Sequence, residues 1–282
     1  MKLSVIIVNY NVTVLLDNCL ASVLHYTDDK TTEIIVRDNH STDDSWKKLI
    51  DKYPTVKFQA SDKNEGFAIA NNKAVDAASG EYILLLNPDT LFIEPLFPEL
   101  LDFADSMTDL GCLGVRFIDG DGNFLPETKR SVPDVWNSFQ KLFLFPSKKR
   151  SAKGYYRSDI SEHENAEVEV ITGAFMLMKR ELYLKTGGLD ERYFMYGEDI
   201  DLCYTLLQMG CRNYYYGRKT IVHYKGESTV KDRKYLERFY GAMQIFVKKY
   251  YGDRPLQCAL LTAGLKARHW IALLQLMQKK TA

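Results

Sequence analysis

The first residues of the chain alternate between two hydrophobic periodicities. Leu3 to Val8 is a continuous apolar run rich in β-branched residues, which predicts a strand covered on both faces. Apolar residues then recur at spacings of three and four, as on one face of an amphipathic helix; they are Leu16, Cys19, Leu20, Val23 and Leu24. The chain therefore begins with a strand followed by a helix.

The same alternation continues along the first third of the chain. Further strands are predicted at Glu33 to Arg37, Val56 to Gln59 and Tyr82 to Leu86, with helices around Trp46 and from Phe67 to Ala78. Strands that alternate with helices across short loops indicate βαβ units and a parallel sheet. We therefore predict an α/β fold with a Rossmann-like, mostly parallel sheet and flanking helices, in which ligands bind beyond the carboxyl ends of the strands.

The second half of the chain has a weaker pattern. Asp119 to Gly122 predicts the tight turn of a hairpin, and residues 126–165 form a long polar segment without clear periodicity. Regular structure is predicted again from Val168 to Lys179 and in a helix from Glu198 to Met209. Beyond Lys231 the chain is predicted to be mostly helical.

The composition limits the possible partners. The 282 residues contain 37 basic and 37 acidic side chains, so a zero formal charge offers no long-range attraction to nucleic acid. The five cysteines are odd in number and never spaced C-x-x-C, which argues against a disulfide framework and a structural zinc site. These features predict a protein of a reducing cytosol.

The apolar segments near both ends do not predict a leader or a membrane span. The run after Met1 is too short for a signal peptide, and no stretch reaches the roughly 20 apolar residues that cross a bilayer. Leu256 to Met277 comes nearest, but Lys266 and Arg268 interrupt it. Its apolar face with basic residues and Trp270 suits peripheral contact of residues 255–282 with the inner face of the plasma membrane; packing onto the domain or in a homodimer explains the same stripe.

Polar motifs follow three of the predicted strands. They are Asn9-Tyr10-Asn11, the segment Asp38 to Asp43, and Asn87-Pro88-Asp89. Asp89 closes a buried strand, where an ionised side chain is costly unless it emerges into a site. A carboxylate in that place is a hard oxygen ligand for a divalent cation that neutralises a diphosphate, although an Asn-Pro-Asp turn accounts for it as well.

Other residues of the first half suit a nucleotide. Asp38 directly follows its strand, where its carboxylate could accept the N3–H of uracil or thymine, whereas Asp43 is expected to cap the next helix. Asn64, Gly66 and Asn71 suit a ribose and phosphates. A glycine turn and a helix with surface asparagines is the alternative.

The helix predicted from Glu198 begins with several acidic residues. Glu198, Asp199 and Asp201 fall in its first turn, where negative charge is favourable whatever the function. The preceding aromatic run from Tyr193 to Tyr196 offers an apolar wall for a positioned base. Gly173 is small enough for an acceptor or a pyrophosphate to approach the backbone, although helix packing explains it nearly as well.

His223 follows an apolar pair and precedes Tyr224, Lys225 and Gly226. Such a histidine is either a structural hydrogen-bonding residue or part of a phosphate or metal site. The run from Gly120 to Leu125 lacks the third glycine of a dinucleotide motif and the ligands of a calcium loop, so it is a turn.

Seven motifs taken together resemble the family 2 glycosyltransferases with the GT-A fold, particularly the bacterial branch that includes rhamnosyltransferases. The matching stretches are Ser4 to Asn11, Asp38 to Asp43, Asn64 to Asn72, Leu85 to Asp89, Thr172 to Ala174, Gly197 to Leu202 and His223 to Ser228. They occur in the family order between residues 3 and 228.

The resemblance implies roles for several of these residues. Asn87-Pro88-Asp89 stands where the family has Asp-x-Asp, so Asp89 takes the Mg²⁺ or Mn²⁺ and Asn87 makes a polar contact. Asp199 matches the catalytic base and Glu198 its neighbour at the acceptor. With the helical pattern at the end of the chain, we predict a catalytic domain at 1–230, with a nucleotide-binding half at 1–95 and an acceptor half at 96–230, and a helical extension at 231–282.

The resulting hypothesis is an inverting, metal-dependent glycosyltransferase that moves a sugar from a UDP- or dTDP-sugar to a cell-surface glycan or a lipid-linked oligosaccharide. A sugar-1-phosphate nucleotidyltransferase would have a glycine-rich loop with Arg and Lys after its first strand, and Asn9-Tyr10-Asn11-Val12 is neither. A non-catalytic carbohydrate-binding scaffold would be favoured by loss of Asp89 or Asp199, and both are present.

Overall fold

The helices and strands form a layered α/β structure. The structure is a computed structural model that describes residues 1–132, 154–224, 226 and 232–281. Its strands are β1 (Leu3–Asn9), β2 (Thr32–Asp38), β3 (Lys57–Ala60), β4 (Tyr82–Leu86), β5 (Thr90–Phe92), β6 (Leu110–Ile118), β7 (Ala166–Val168), β8 (Phe175–Lys179) and β9 (Arg212–His223). Its helices are α1 (Thr13–His25), α2 (Lys48–Lys52), α3 (Phe67–Asp76), α4 (Phe97–Ser106), α5 (Arg180–Thr186), α6 (Glu198–Gln208), α7 (Arg233–Tyr251) and α8 (Pro255–Thr281).

The nine described strands form one sheet. Its order is β3-β2-β1-β4-β8-β6-β9-β5, and β7 pairs with β9. The first four strands pair in parallel, as the βαβ pattern predicts. The second half is mixed, because β8 runs antiparallel to both β4 and β6, and β5 and β7 run antiparallel to β9. β6 and β9 are parallel.

The apolar run of β1 is covered on both sides, as predicted. Val5 and Ile7 belong to a buried cluster with Leu16 and Leu20 of α1. Ile6, which points to the opposite face of the sheet, belongs to a second cluster with residues of α3 and α6. This sandwich of helix, sheet and helix leaves the strand ends as the accessible edge.

The carboxyl ends of the first strands lie together. Asn9 is in register with Asp38 across the β1–β2 pair, and Ile7 is in register with Leu86 across the β1–β4 pair. The polar motifs that follow β1, β2 and β4 therefore meet at one edge of the sheet.

Two predicted elements differ in detail. The turn after β6 forms, with Gly122 at a φ of 87°, but its antiparallel pairing is limited to one bridge between Ile118 and Phe124. The regular structure predicted from Val168 to Lys179 is confined to the end of β7 and to β8, and between these strands Val170 pairs with Arg130. Residues 133–153 of the long polar segment lie outside the described residues.

Helices α7 and α8 form a small core of their own. Tyr240 and Val247 of α7 and Leu261 and Leu265 of α8 are buried together. The pair is tied to α6 by Lys249, whose Nζ lies 2.7 Å from Asp201 Oδ2. No helix of the described residues is long and apolar enough to cross a membrane.

The amino-terminal side of the sheet contains a buried carboxylate. Glu33 accepts hydrogen bonds from Ser4 Oγ at 2.6 Å, from the Ser79 amide at 2.6 Å and from Lys57 Nζ at 2.6 Å. Burial alone would raise the pKa of Glu33, but these hydrogen bonds outweigh it and lower the pKa to about 2. The ionised side chain therefore stabilises the folded state.

This network predicts an acid-dependent stability difference. The stabilisation from Glu33 is present above the ordinary pKa of 4.5 and is lost as the pH falls towards about 2. The Glu33→Gln variant should lose up to about 3 kcal/mol of unfolding free energy near neutral pH, and the difference should shrink as the pH falls from 4.5 to about 2. Urea unfolding followed by circular dichroism measures both values. The exposed Glu81→Gln change is the control, and a loss independent of pH would contradict the prediction.

Candidate active site

The ends of β1 and β2 are joined through buried side chains. Asn9 Nδ2 donates to Asp38 Oδ1 at 2.7 Å and to Ser41 Oγ at 3.2 Å. Asp38 Oδ1 also accepts from Ser41 Oγ at 2.6 Å, and Oδ2 accepts from the Ser41 amide at 2.9 Å. The carboxylate of Asp38 thus orders the loop that begins at the sheet edge.

The backbone of this loop is held in an uncommon conformation. Asn11 and His40 both have left-handed φ angles, of 58° and 66°. The strain is offset by local hydrogen bonds, since Asn11 Oδ1 accepts from the Thr42 amide at 2.7 Å and the Asn11 amide donates to Ser41 Oγ at 2.9 Å. Such strained residues cluster at ligand sites, where surrounding contacts maintain them. The expectation that Asp43 caps the helix containing Trp46 is wrong: Asp44 is the N-cap residue and makes no side-chain cap hydrogen bond, while Asp43 accepts from the Ser45 amide at 2.8 Å in the preceding turn.

The predicted nucleotide residues differ in what their side chains bind. Tyr10 is 42% exposed at the end of β1. Asn64 Oδ1 accepts from Asn39 Nδ2 and from the Gly66 amide, both at 3.0 Å. Asn71 is buried, and its Nδ2 donates to the Phe67 carbonyl within α3. Tyr10 is therefore open to a ligand, whereas Asn64 and Asn71 spend hydrogen bonds on the protein.

Gly66 lies at the contact between the start of α3 and the segment that precedes α6. Its φ is 85°, and an added Cβ would lie 2.5 Å from the Phe194 carbonyl oxygen. The same oxygen accepts from the Phe67 amide at 2.7 Å. Only glycine fits this position, so the aromatic run before Glu198 is fixed beside the start of α3.

Asp89 and His223 meet although they are far apart in sequence. Strand β5 pairs with β9 so that Thr90 is opposite His223, and the Asp89 carbonyl accepts from the Tyr224 amide at 2.9 Å. His223 Nε2 lies 3.3 Å from Asp89 Oδ1, and both side chains are buried. This pairing brings the two predicted metal residues together.

The donor atoms around Asp89 suit a cation that shares its ligands with a phosphate. Among the described residues, the buried atoms His223 Nδ1 and Asn87 Oδ1 have no hydrogen-bond partner. Nowhere in the described part of the chain do three or more His, Cys, Asp or Glu side chains form a group that could hold a metal. A divalent cation here would therefore take one carboxylate and one imidazole from the protein and complete its shell with phosphate oxygens and water. Lys225, Glu227 and Ser228 of the last motif lie outside the described residues.

Asp199 is fixed in the first turn of α6. Its Oδ2 accepts from the Gly173 amide at 3.1 Å and from Arg130 Nη2 at 2.6 Å, and its Oδ1 accepts from the Ile200 amide at 2.8 Å. A Cβ added to Gly173 would lie 3.2 Å from Asp199 Cβ. Gly173 is therefore small because Asp199 approaches it closely.

Glu198 has different surroundings from its neighbour. Its side chain is buried, and among the described residues its Oε2 has no hydrogen-bond partner. Burial raises the pKa of Glu198 to about 8, and the negative charge of Asp199 contributes in the same direction. At neutral pH Glu198 holds a proton, while Asp199 faces a guanidinium.

The segment that contains Asp89 and the segment that binds Asp199 are connected through the pairing of β4 with β8. The Asn87 amide donates to the Ala174 carbonyl at 3.0 Å, next to the Gly173 amide that binds Asp199. The structure thus brings Asn87 and Asp89 to the same edge as Gly173 and Asp199.

Arg130 is a site residue that the sequence analysis missed. It lies in the polar segment 126–165, where no periodicity marks a buried position. Lys129 beside it is also buried, with Nζ donating to the carbonyls of Arg157 and Ile160 at 2.8 Å. The only sequence signal for a buried charge was the pair of adjacent basic residues, Lys129 and Arg130, in this polar segment.

Comparison with known proteins gives a family and a fold. The family described as "Glycosyl transferase family 2" matches residues 4–187. The N-acetylglucosaminyl-diphospho-decaprenol L-rhamnosyltransferase of Mycobacterium tuberculosis is 29% identical over 242 residues, which cover 82% of this chain and 78% of the relative. Rhamnosyltransferase WbbL of Escherichia coli is 29% identical over 206 residues, which cover 70% and 74%.

Solved structures share the fold at low sequence identity. GalNAc-T7, crystallised with UDP, GalNAc and Mn²⁺, has a TM-score of 0.66 and 19% identity over 95% of this chain, which spans 54% of that protein. Mannosyltransferase PcManGT from Pyrobaculum calidifontis, in complex with GDP-Man and Mn²⁺, has a TM-score of 0.60 and 17% identity. The match covers 95% of this chain and 69% of the PcManGT chain. The family match and the solved structures agree with the sheet order described above. The chain therefore belongs to glycosyl transferase family 2, as a nucleotide-sugar-dependent enzyme with the GT-A fold.

Proposed function

We propose that this enzyme transfers a sugar with inversion from a UDP- or dTDP-sugar to a hydroxyl of a glycan or lipid-linked oligosaccharide. The observation that carries the proposal is that the Asp89–His223 contact and the Gly173–Asp199 hydrogen bond lie at the same sheet edge, where the Asn87 amide bonds the Ala174 carbonyl. The relative from Mycobacterium tuberculosis is named for rhamnosyl transfer to N-acetylglucosaminyl-diphospho-decaprenol, which favours a lipid-linked acceptor. We assign the donor to residues 1–95, the acceptor to 96–230 and a helical extension to 231–282.

The nucleotide is assigned to the ends of β1 and β2. Tyr10 offers an exposed aromatic ring to the base. A carboxylate has about four lone-pair sites. Asp38 accepts three hydrogen bonds from Asn9 and Ser41, so one site remains for the N3–H of uracil or thymine. We assign the ribose and phosphates to Asn11, Asn64, Gly66, Asn71 and Asn87.

The chemical step is assigned to the first turn of α6. Asp199 takes the proton of the acceptor hydroxyl as the hydroxyl oxygen attacks the anomeric carbon and the bond to the diphosphate breaks. Glu198 and Gly173 border the acceptor at this point. Asp89 and His223 would hold a divalent cation, whose positive charge would stabilise the departing nucleoside diphosphate. General base catalysis contributes about 10²–10⁴-fold, and positioning contributes the rest.

The role of Asp199 predicts a specific loss of turnover. Asp199→Asn should lower kcat by about 10²–10⁴-fold, because an amide cannot accept the proton, while donor affinity stays the same. Initial rates with a soluble acceptor analogue and donor titration measure the two effects. Glu181→Gln, which removes an exposed acid from the first turn of α5, is the matched control. Unchanged turnover in Asp199→Asn would assign the proton transfer to another group.

The proposed roles of Asp89 and His223 predict that their variants lose affinity for nucleoside diphosphates but not for nucleosides. Asp89→Ala should abolish the gain in UDP or dTDP affinity that Mn²⁺ provides, and His223→Ala should reduce it, because these two residues would hold the cation that neutralises the diphosphate. Uridine or thymidine should bind both variants normally. Calorimetric titration with and without Mn²⁺ measures these affinities, with the exposed Asp121→Ala as control. Persistence of the Mn²⁺ effect in both variants would place the metal elsewhere.

We also propose that α8 contacts an anionic membrane surface. Leu261 and Leu265 face α7, whereas the other side of the helix exposes a stripe of large apolar residues. The stripe consists of Leu256, Leu260, Trp270, Ile271 and Leu274. The sequence from Pro255 to Thr281 contains four basic residues and no acidic residue. A second copy would bring like charges together across a symmetric interface, so charge complementarity favours anionic lipid.

The outer face of α8 predicts vesicle binding. The triple variant Leu260→Gln, Trp270→Gln and Leu274→Gln should stay folded yet no longer sediment with phosphatidylglycerol vesicles, because its apolar stripe is lost. Substitution is a cleaner test than truncation at Asp253, since α8 covers Tyr240 and Val247. Phosphatidylcholine vesicles are the control. A full-length protein that ignores anionic vesicles at low salt, or a triple variant that dissociates a dimer, would assign the stripe to protein packing.

A further inference from the structure

Arg130 is held by its backbone and by its side chain beside Asp199. Its amide and carbonyl pair with those of Val170, both at 2.9 Å. Its Nη2 donates to the Ile171 carbonyl at 2.7 Å and to Asp199 Oδ2 at 2.6 Å. The guanidinium is therefore attached to the same segment whose Gly173 amide binds Asp199.

Stability alone does not account for this ion pair. The side chains of Arg130 and Asp199 are 10% and 14% exposed, so both charges lose most of their hydration. Such desolvation costs several kcal/mol per ion, and apolar replacements of buried ion pairs are often as stable or more stable. The pair therefore fits a need for a charged carboxylate in a fixed orientation.

The groups around Asp199 show what the guanidinium changes. Tyr155, Glu198 and Cys203 also interact electrostatically with the Asp199 carboxylate, and each of these three is neutral when protonated. Arg130 supplies a positive charge among them. Burial would lower the pKa of Arg130, but Asp199 and Tyr155 raise it above its ordinary value, so the guanidinium stays charged.

We propose that Arg130 is a positioning residue of the transfer reaction, which holds the Asp199 carboxylate in a fixed orientation and places a positive charge beside it. Two carboxylates side by side compete for one proton, and a cation beside one of them decides which stays charged. Asp199 is then ready to accept the hydroxyl proton when the acceptor arrives. This inference rests on the proposed role of Asp199 as the base.

The proposal predicts a shift in the pH profile. Removing the guanidinium removes the charge-assisted hydrogen bond that Arg130 donates to the Asp199 carboxylate, so the charged carboxylate loses a stabilising contact. In Arg130→Met the acidic limb of kcat/KM should move to higher pH by about 1–2 units, with donor affinity unchanged. Arg130→Lys keeps the charge without the planar fork, so it should retain the limb position but lower kcat.

A second buried arginine provides the matched control. Arg116 Nη2 lies 3.0 Å from Glu162 Oε2, and its side chain is 13% exposed. Arg116→Met should lower the melting temperature without moving the pH profile. The measurement is kcat/KM from about pH 5 to about pH 9 with a soluble acceptor analogue.

The outcomes separate this inference from the proposed function. If Asp199→Asn abolishes turnover while Arg130→Met leaves the acidic limb in place, Arg130 is structural and the inference is overturned. If Asp199→Asn keeps turnover, the assignment of the base fails first. If Arg130→Met does not fold, Arg130→Lys decides: unchanged kcat and an unchanged pH profile, as in Arg116→Met, would overturn the inference.

Discussion

The antiparallel pairing of β8 with β4 is the contact on which the site depends. Leu86 is in register with Phe175, and the Asn87 amide continues the pairing to the Ala174 carbonyl. Because the backbone hydrogen bonds fix this register, Gly173 emerges beside the end of β4, where its amide binds Asp199. Sheet geometry thereby sets the end of β4 beside the start of β8.

Several buried polar groups at this edge lower the stability of the fold because they have no hydrogen-bond partner among the described residues. An unsatisfied buried donor or acceptor costs about 1–3 kcal/mol. Glu198 Oε2, Asn87 Oδ1 and His223 Nδ1 all belong to this class among the described residues. Their gathering around one edge, together with the left-handed Asn11 and His40, is typical of a preorganised ligand site.

An ion pair between Lys249 and Asp201 connects α7 to the first turn of α6. Asp201 accepts from Lys249 at 2.7 Å and from the Tyr250 hydroxyl at 2.9 Å, only two residues after Asp199. The first turn of α6 thus carries one carboxylate that holds α7 and another that we assign to the acceptor. A membrane contact through α8 would orient the acceptor edge relative to the lipid surface through this connection.

The sequence by itself determined the local elements of the first half of the chain and the family. Apolar periodicity is a local property, so the parallel first half, the polar strand ends and the acidic first turn of α6 were predictable. The resemblance of seven ordered motifs also identified the family. The turn at Gly122 and the two-sided burial of β1 followed from turn and strand chemistry alone.

Only the tertiary structure decided which distant residues meet. Arg130 and Asp199 are 69 positions apart, and Arg130 has no local pattern that distinguishes it from a solvated loop residue. The direction of β8, the contact of His223 with Asp89 and the close approach of Phe194 to Gly66 likewise arise from long-range pairing. Periodicity reports which face of an element is buried; it carries no information on the partner, because pairing depends on the packing of the whole sheet.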